Sequence, residues 1–231
     1  MDTEERIARA AYLTRVVRPP RQHLATFGSS KLDYYVITDP VYQEWSQGQE
    51  ESVIRQGSVT SDRPVLVTPY YMLNLEGFSK DAYQYMETLA HEIGPNSPGI
   101  LYRYKNDPGK LDIVSGKAFD VADRVAGDLD ANKRDNAVVI TGVDELWDIS
   151  LLKFMYEYIS SSAHSNAREM KAKGLLEPVP NLDVPRGVVQ GIEEMFKQVE
   201  RGSDPAVLHK ELERWGLFKT YEARFFRLLQ K

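Results

Sequence analysis

The chain of 231 residues contains no cysteine. That absence removes disulfides, thiolate nucleophiles and every cysteine-ligated zinc or iron site. Histidine is scarce as well: His23, His91, His164 and His209 lie far apart, so a multi-histidine metal site has no local basis. His91-Glu92 opens the HExxH zinc pattern, but Pro95 stands where the second ligand belongs. Asp128, Asp130 and Asn132 match the opening ligands of a calcium loop, yet Lys133 replaces the turn glycine and Val139 the bidentate glutamate. The chain also lacks a phosphate loop ending in Lys-Ser/Thr, a GxGxxG turn and a GxSxG elbow. No cofactor, no metal and no catalytic residue are therefore expected. An enzyme of another kind would draw on Asp33, Asp39 or Asp112 at strand ends. No apolar run approaches the roughly eighteen residues of a membrane span, and the first residues lack the apolar stretch of a signal peptide. The expected compartment is the cytoplasm.

Hydrophobic residues make up 42% of the chain and charged ones 27%, enough apolar matter for a sizeable core. The net charge of −5 is unevenly spread. Arg6, Arg9, Arg15, Arg18, Arg21 and Lys31 occur in a stretch without an acid, so residues 1–31 read as a basic helix and arm.

Residues 32–142 read as an α+β domain. Leu32 to Thr38 is aromatic and β-branched and ends at Asp39-Pro40, and Ser52 to Thr60 alternates in the manner of a half-buried strand. Pro64 to Pro69 is a short apolar run. Helices are expected from Ser79 to Ile93 and from Lys117 to Asn132. Ile100–Lys105 and Lys110–Val114 flank Asn106-Asp107-Pro108-Gly109, which predicts a hairpin turn. Asn136 to Ile140 reads as a buried strand. Residues 143–231 read as an all-helical domain, with Thr141 and Asp144 as a capping pair. Its later helices run from Pro185 to Glu200 and from Asp204 to the end, broken at Trp215-Gly216. The fold class is α+β: a mixed, largely antiparallel sheet with flanking helices, followed by a helical C-terminal region.

Two functional readings arise from these patterns. Tyrosines crowd the β-rich region, with Trp45 and Phe78 among them, and Phe225 and Phe226 widen the apolar stripe of the last helix. Tyr34, Tyr70, Tyr102, Tyr104, Phe225 and Phe226 are candidates for binding a protein partner or a second copy, since aromatic residues are enriched in interfaces. The resulting expectation is a soluble, non-catalytic interaction or scaffold protein. The alternative is a DNA-binding regulator. Asp148 to Glu177 has the rhythm of a helix, a serine-rich interruption and a second helix closed by Lys173-Gly174-Leu175-Leu176. That second helix would present His164, Asn166, Arg168 and Lys171 to nucleic acid.

Overall fold

A computed structural model describes residues 3–42, 50–74 and 79–230, apart from the side chains of residues 81, 82, 86 and 89. Trp45 and Phe78 lie outside the described residues. The elements run α1 (Thr3–Leu13), β1 (Arg15–Arg18), β2 (Ser30–Asp39), β3 (Glu51–Ser61), β4 (Val65–Val67), α2 (Pro69–Leu73), α3 (Lys80–Ile93), β5 (Gly99–Leu101), β6 (Tyr104–Ser115), α4 (Ala118–Ala131), β7 (Ala137–Val143), α5 (Trp147–Ala172), α6 (Arg186–Glu200), α7 (Pro205–Arg214) and α8 (Phe218–Leu229). The protein is α+β, as its residue patterns predict, and the chain divides into two compact units: residues 1–64 with 102–166, and residues 65–101 with 167–231. The expected boundary near residue 142 falls inside the first unit.

The first unit is built on a five-stranded sheet in the order β1-β7-β2-β3-β6. β2 and β7 pair in parallel, while the β1–β7, β2–β3 and β3–β6 pairs are antiparallel. The parallel pair is central because its residues are apolar on both sides: Val36, Ile37 and Ala137 to Ile140 are all fully buried. Leu32, Tyr34, Val36, Val138 and Ile140 face α5 and pack on its Leu151, Phe154 and Met155, together with Val59 of β3. Ile37, Ala137 and Val139 face the other way, onto Ala118, Val121, Ala122 and Leu129 of α4. Asp39 caps α4 by accepting the Ala118 N–H at 3.0 Å.

The expected capping pair at Thr141 and Asp144 does not form. Thr141 pairs inside β7 with Ile37, and the Asp144 carboxylate turns to Thr38, which donates to it at 2.7 Å, and to Arg55 at 2.6 Å. The proposed turn Asn106-Asp107-Pro108-Gly109 is not a turn either. It runs through β6 as a bulge, because β3 is long enough to pair on both sides of it. The Ile100–Lys105 arm divides accordingly: Gly99–Leu101 pairs with β4, and Tyr104 begins β6.

The second unit holds the β4–β5 pair, α2, α3 and the helices from α6 onward. Its core gathers Tyr71, Val188, Ile192, Phe196, Leu208, Leu212, Trp215, Leu217 and Phe225. Local chemistry starts and stops these helices. Thr68 accepts the Tyr71 N–H ahead of Pro69, and Asp204 accepts the Ala206 N–H ahead of Pro205. Gly216, at φ +66°, ends α7. Tyr71 and Trp215 rings lie 4.6 Å apart, and Glu211 accepts hydrogen bonds from both.

Arg18 is buried at the sheet's other margin. It donates to the Ala137 and Arg134 carbonyls at 2.6 and 3.0 Å and to Asp130 at 2.9 Å. The Arg18 hydrogen bond holds the Asp130 carboxyl below the usual carboxylate range, helped by Arg21. A lowered carboxyl stabilises the fold above the unfolded pKa, near about 4, and that part is lost as pH falls through the lower folded value. Asp130→Asn is therefore expected to flatten the acid side of the stability curve, read from urea midpoints between neutral and strongly acid pH. Identical acid-side slopes in variant and parent would refute this linkage.

Tyr34 provides a second check. Its hydroxyl is buried without a hydrogen-bond partner, and burial raises its pKa. Tyr34→Phe is expected to leave unfolding free energy unchanged or to raise it by about 1 kcal/mol. A loss of that size would show that the hydroxyl is bonded.

Candidate functional site

The sheet is five strands wide, but α5 covers its middle. Helical geometry sets which flank of α5 looks where, since successive side chains turn by about 100°. Ser150 lies on the side of β1, bonded to Thr14 at 2.8 Å. Leu151, Phe154 and Met155 point down into the core. Leu152 and Tyr156 fall outside the buried face of the helix and are 56% and 75% exposed. At the start of the helix Trp147 stacks on Tyr34, with ring centres 6.5 Å apart, and carries the Arg55 guanidinium 5.7 Å from its ring. Asp144 anchors that guanidinium from the other side.

β6 is the sheet's last strand, and among the described residues none pairs with its outer edge. Backbone donors and acceptors from about half of its twelve residues, the alternate ones, therefore line that edge. Opposite Gln56, two residues of β6, Gly109 and Lys110, stand between the Gly57–Pro108 and Arg55–Leu111 pairs. Only glycine fits there: a Cβ on Gly109 would lie 2.7 Å from the Gln56 carbonyl oxygen. Gly57 is forced in the same way, because a Cβ would strike the Tyr34 hydroxyl and sit 2.8 Å from the Asp107 carbonyl.

The bulge changes which side chains share a face. Before it, Tyr104, Asn106 and Pro108 pair with Ser61, Val59 and Gly57, on the α5 side of the sheet. After it, Leu111 and Ile113 pair with Arg55 and Val53 on that same side. Tyr104, Leu111 and Ile113 are 50%, 54% and 54% exposed. Together they form an apolar floor that stays exposed among the described residues.

The α4 side of the same strands is polar. Asp33, Tyr35, Gln56, Ser58, Asp107, Lys110 and Arg134 line an open groove of about 310 Å³. Its acids are engaged: Arg134 holds Asp33, Lys105 lies 2.6 Å from Asp107, and Asp112 meets Lys110 and Gln56 at 3.0 Å. No histidine lines the groove, and Asp39 is spent on the cap of α4. Among the described residues no group of three or more acidic or histidine side chains is placed to hold a metal ion.

The aromatic candidates scatter. Tyr34 and Phe225 are core residues with no surface to offer a partner. Tyr102 is half-buried, with its pKa raised by burial. Tyr70 and Phe226 are exposed in the second unit, and Tyr104 is exposed on β6. Leu111 and Ile113 were not among the candidates, because a strand read as a hairpin arm gives no reason for its apolar side chains to stay in water.

The helix-turn-helix expectation is overturned. α5 is one helix of 26 residues without interruption. Its serines turn inward or bond back: Ser162 accepts the Leu24 N–H at 3.1 Å, and Ser161 donates to the Tyr158 carbonyl. Asn166 is 2% exposed. Oriented to satisfy its neighbours, its amide nitrogen donates to the Leu24 and Ser162 carbonyls, and its oxygen accepts from the Tyr102 hydroxyl at 3.0 Å. An asparagine held that way has no edge left for a base. His164, Arg168 and Lys171 are exposed along the same helix, and His164 Nδ1 lies 2.8 Å from the Ser160 carbonyl.

No family model, curated protein or solved structure matches the chain. The geometry alone carries the functional reading.

Asn166→Ala is expected to lower unfolding free energy by about 1–3 kcal/mol, since it strands the buried carbonyls of Leu24 and Ser162. Arg168→Ala should stay within about 0.5 kcal/mol. Urea denaturation of both variants checks this, and equal effects would contradict the buried role of Asn166.

Proposed function

We propose that this chain is a non-catalytic interaction protein that binds another polypeptide along β6. One observation carries the reading: a twelve-residue strand edge open to pairing, bordered on one face by exposed Tyr104, Leu111 and Ile113. Strand addition to such an edge draws affinity from main-chain hydrogen bonds and specificity from alternate side chains. On the α5 side an incoming strand would lay its apolar residues between Leu111, Ile113 and the exposed Leu152 and Tyr156 of α5. On the other side it would meet the charges of Lys105, Asp107, Lys110 and Asp112. The acids beside the polar groove favour a binding surface over a catalytic one, because each is already paired with a cation of the same chain.

Among the described residues no helix is long and apolar enough to cross a membrane. A chain without cysteine forms no disulfide, which is compatible with the reducing cytoplasm.

A photo-crosslinking amino acid introduced at Tyr104, Leu111 or Tyr156 tests the reading in cells of the native host. Adducts should form from these positions and be absent from Tyr12 and Phe119, which are also exposed, on α1 and α4. Uniform labelling from all five positions, or none from β6, would sink the proposal.

A further inference from the structure

The charges on β6 are arranged symmetrically about its bulge. Lys105 and Asp107 precede Pro108-Gly109, and Lys110 and Asp112 follow it. In a regular strand Lys105 and Asp112 would point to opposite faces, as would Asp107 and Lys110, since each pair is separated by an odd number of residues. The extra residue at the bulge removes that mismatch. Asp107 and Lys110 line the same groove on the α4 side, and Asp112 is bonded there to Gln56. Tyr104, Asn106, Leu111 and Ile113 share the α5 side.

Resting on the interaction reading above, we infer that the strand accepted at this edge is β6 of a second copy, antiparallel, with a two-fold axis between Pro108 and Gly109. An antiparallel pair related by an axis through the sheet matches residues on the same face. About Pro108-Gly109, Lys105 falls opposite the partner's Asp112, and Asp107 falls opposite the partner's Lys110. Tyr104 falls opposite the partner's Ile113, and Asn106 opposite the partner's Leu111. All eight cross-strand positions are then face-matched, and all four charge pairs are of opposite sign. Slipping the pairing by two residues places Lys105 against the partner's Lys110 in one direction, and Asp107 against the partner's Asp112 in the other. Of these three registers only the central one avoids like charges.

Lysines, a proline and a bulge also serve to keep edges apart. Lysines used that way repel every copy alike. Here each lysine has a matching aspartate at its mirror position, so the same devices reject a two-residue slip and admit the central register. Pro108 has no N–H to give, which leaves the pairing to residues 104–107 and 110–113 on either side of the axis. The two apolar floors then join into one, lying between the two copies of α5.

Sedimentation velocity from about 1 µM to about 1 mM, the concentration range of weak to moderate association, should show a monomer–dimer equilibrium. Lys105→Asp with Lys110→Asp makes the edge wholly acidic, and Asp107→Lys with Asp112→Lys makes it wholly basic. Each variant alone should weaken self-association by about 100-fold, from four like-charge contacts, and an equimolar mixture should recover it as a heterodimer. The cysteine-free background gives a register test. Asn106→Cys mixed with Leu111→Cys should form an intermolecular disulfide on mild oxidation, while either variant alone should not. Dimers unaffected by both charge variants would place self-association elsewhere and overturn the inference. A strictly monomeric parent with β6 crosslinked to a different protein would overturn the second copy and leave the interaction reading standing. A monomer without β6 adducts would end both.

Discussion

The parallel pairing of β2 with β7 is the constraint from which the rest of the first unit follows. Its residues are buried on both faces, so a helix must lie on each. α4 takes one face and α5 the other, each positioned over this pair. Two helices centred on two strands do not cover five. β1 is an edge of only four residues, while β6, on the far side of β3, carries no residue of the cluster packed on α5. The open edge is thus a geometric remainder of the way the core is built.

Much of the architecture is legible in the residues, and the failures have identifiable physical causes. β2 and β7 announce themselves because β-branched residues in short apolar runs have few other places to go. The amphipathic helices and their stops at Gly94 and Gly202 follow from periodicity and positive φ. The Asn-Asp-Pro-Gly segment has turn chemistry, yet a turn forms only when its two flanks can pair with each other. Here β3 offers one continuous partner to both flanks, and tertiary pairing outweighs local preference. The serine run misleads for a related reason. Serines weaken a helix by competing for its backbone, but Ser150 and Ser162 find tertiary partners in Thr14 and the Leu24 amide. The helix continues because the competing bonds are made outward.

Asn166 shows how far a local pattern can stand from function. A small polar start followed by cations resembles a base-reading helix in one dimension. In three dimensions the asparagine closes the ends of the Leu24–Thr26 segment and fixes Tyr102. A buried carboxamide with donors and acceptors matched is a structural clamp, and its polarity is explained without a ligand. Of the aromatic candidates Tyr104 alone lies at the proposed edge. The more informative signal was the repeated Lys-x-Asp of residues 105–107 and 110–112, which is visible in sequence but has no meaning until the bulge sets the faces.

Those four charges illustrate why interaction energy and interaction specificity need separate accounts. Within one chain they already pair two residues apart, at 2.6 and 3.0 Å, in the open. Exposed pairs of this kind add little to folding, so stability does not explain their arrangement. A second copy adds one opposite charge beside each group and breaks neither existing pair. Their gain in affinity is small, and the attraction must come from backbone hydrogen bonds and from Tyr104, Leu111 and Ile113. What the charges change is the cost of error, since a slip of two residues either way brings like charges together on a partly desolvated strand. The bulge makes that discrimination possible: were the same residues to run as a regular strand, the mirrored charges would fall on opposite faces, and no alignment could pair them all.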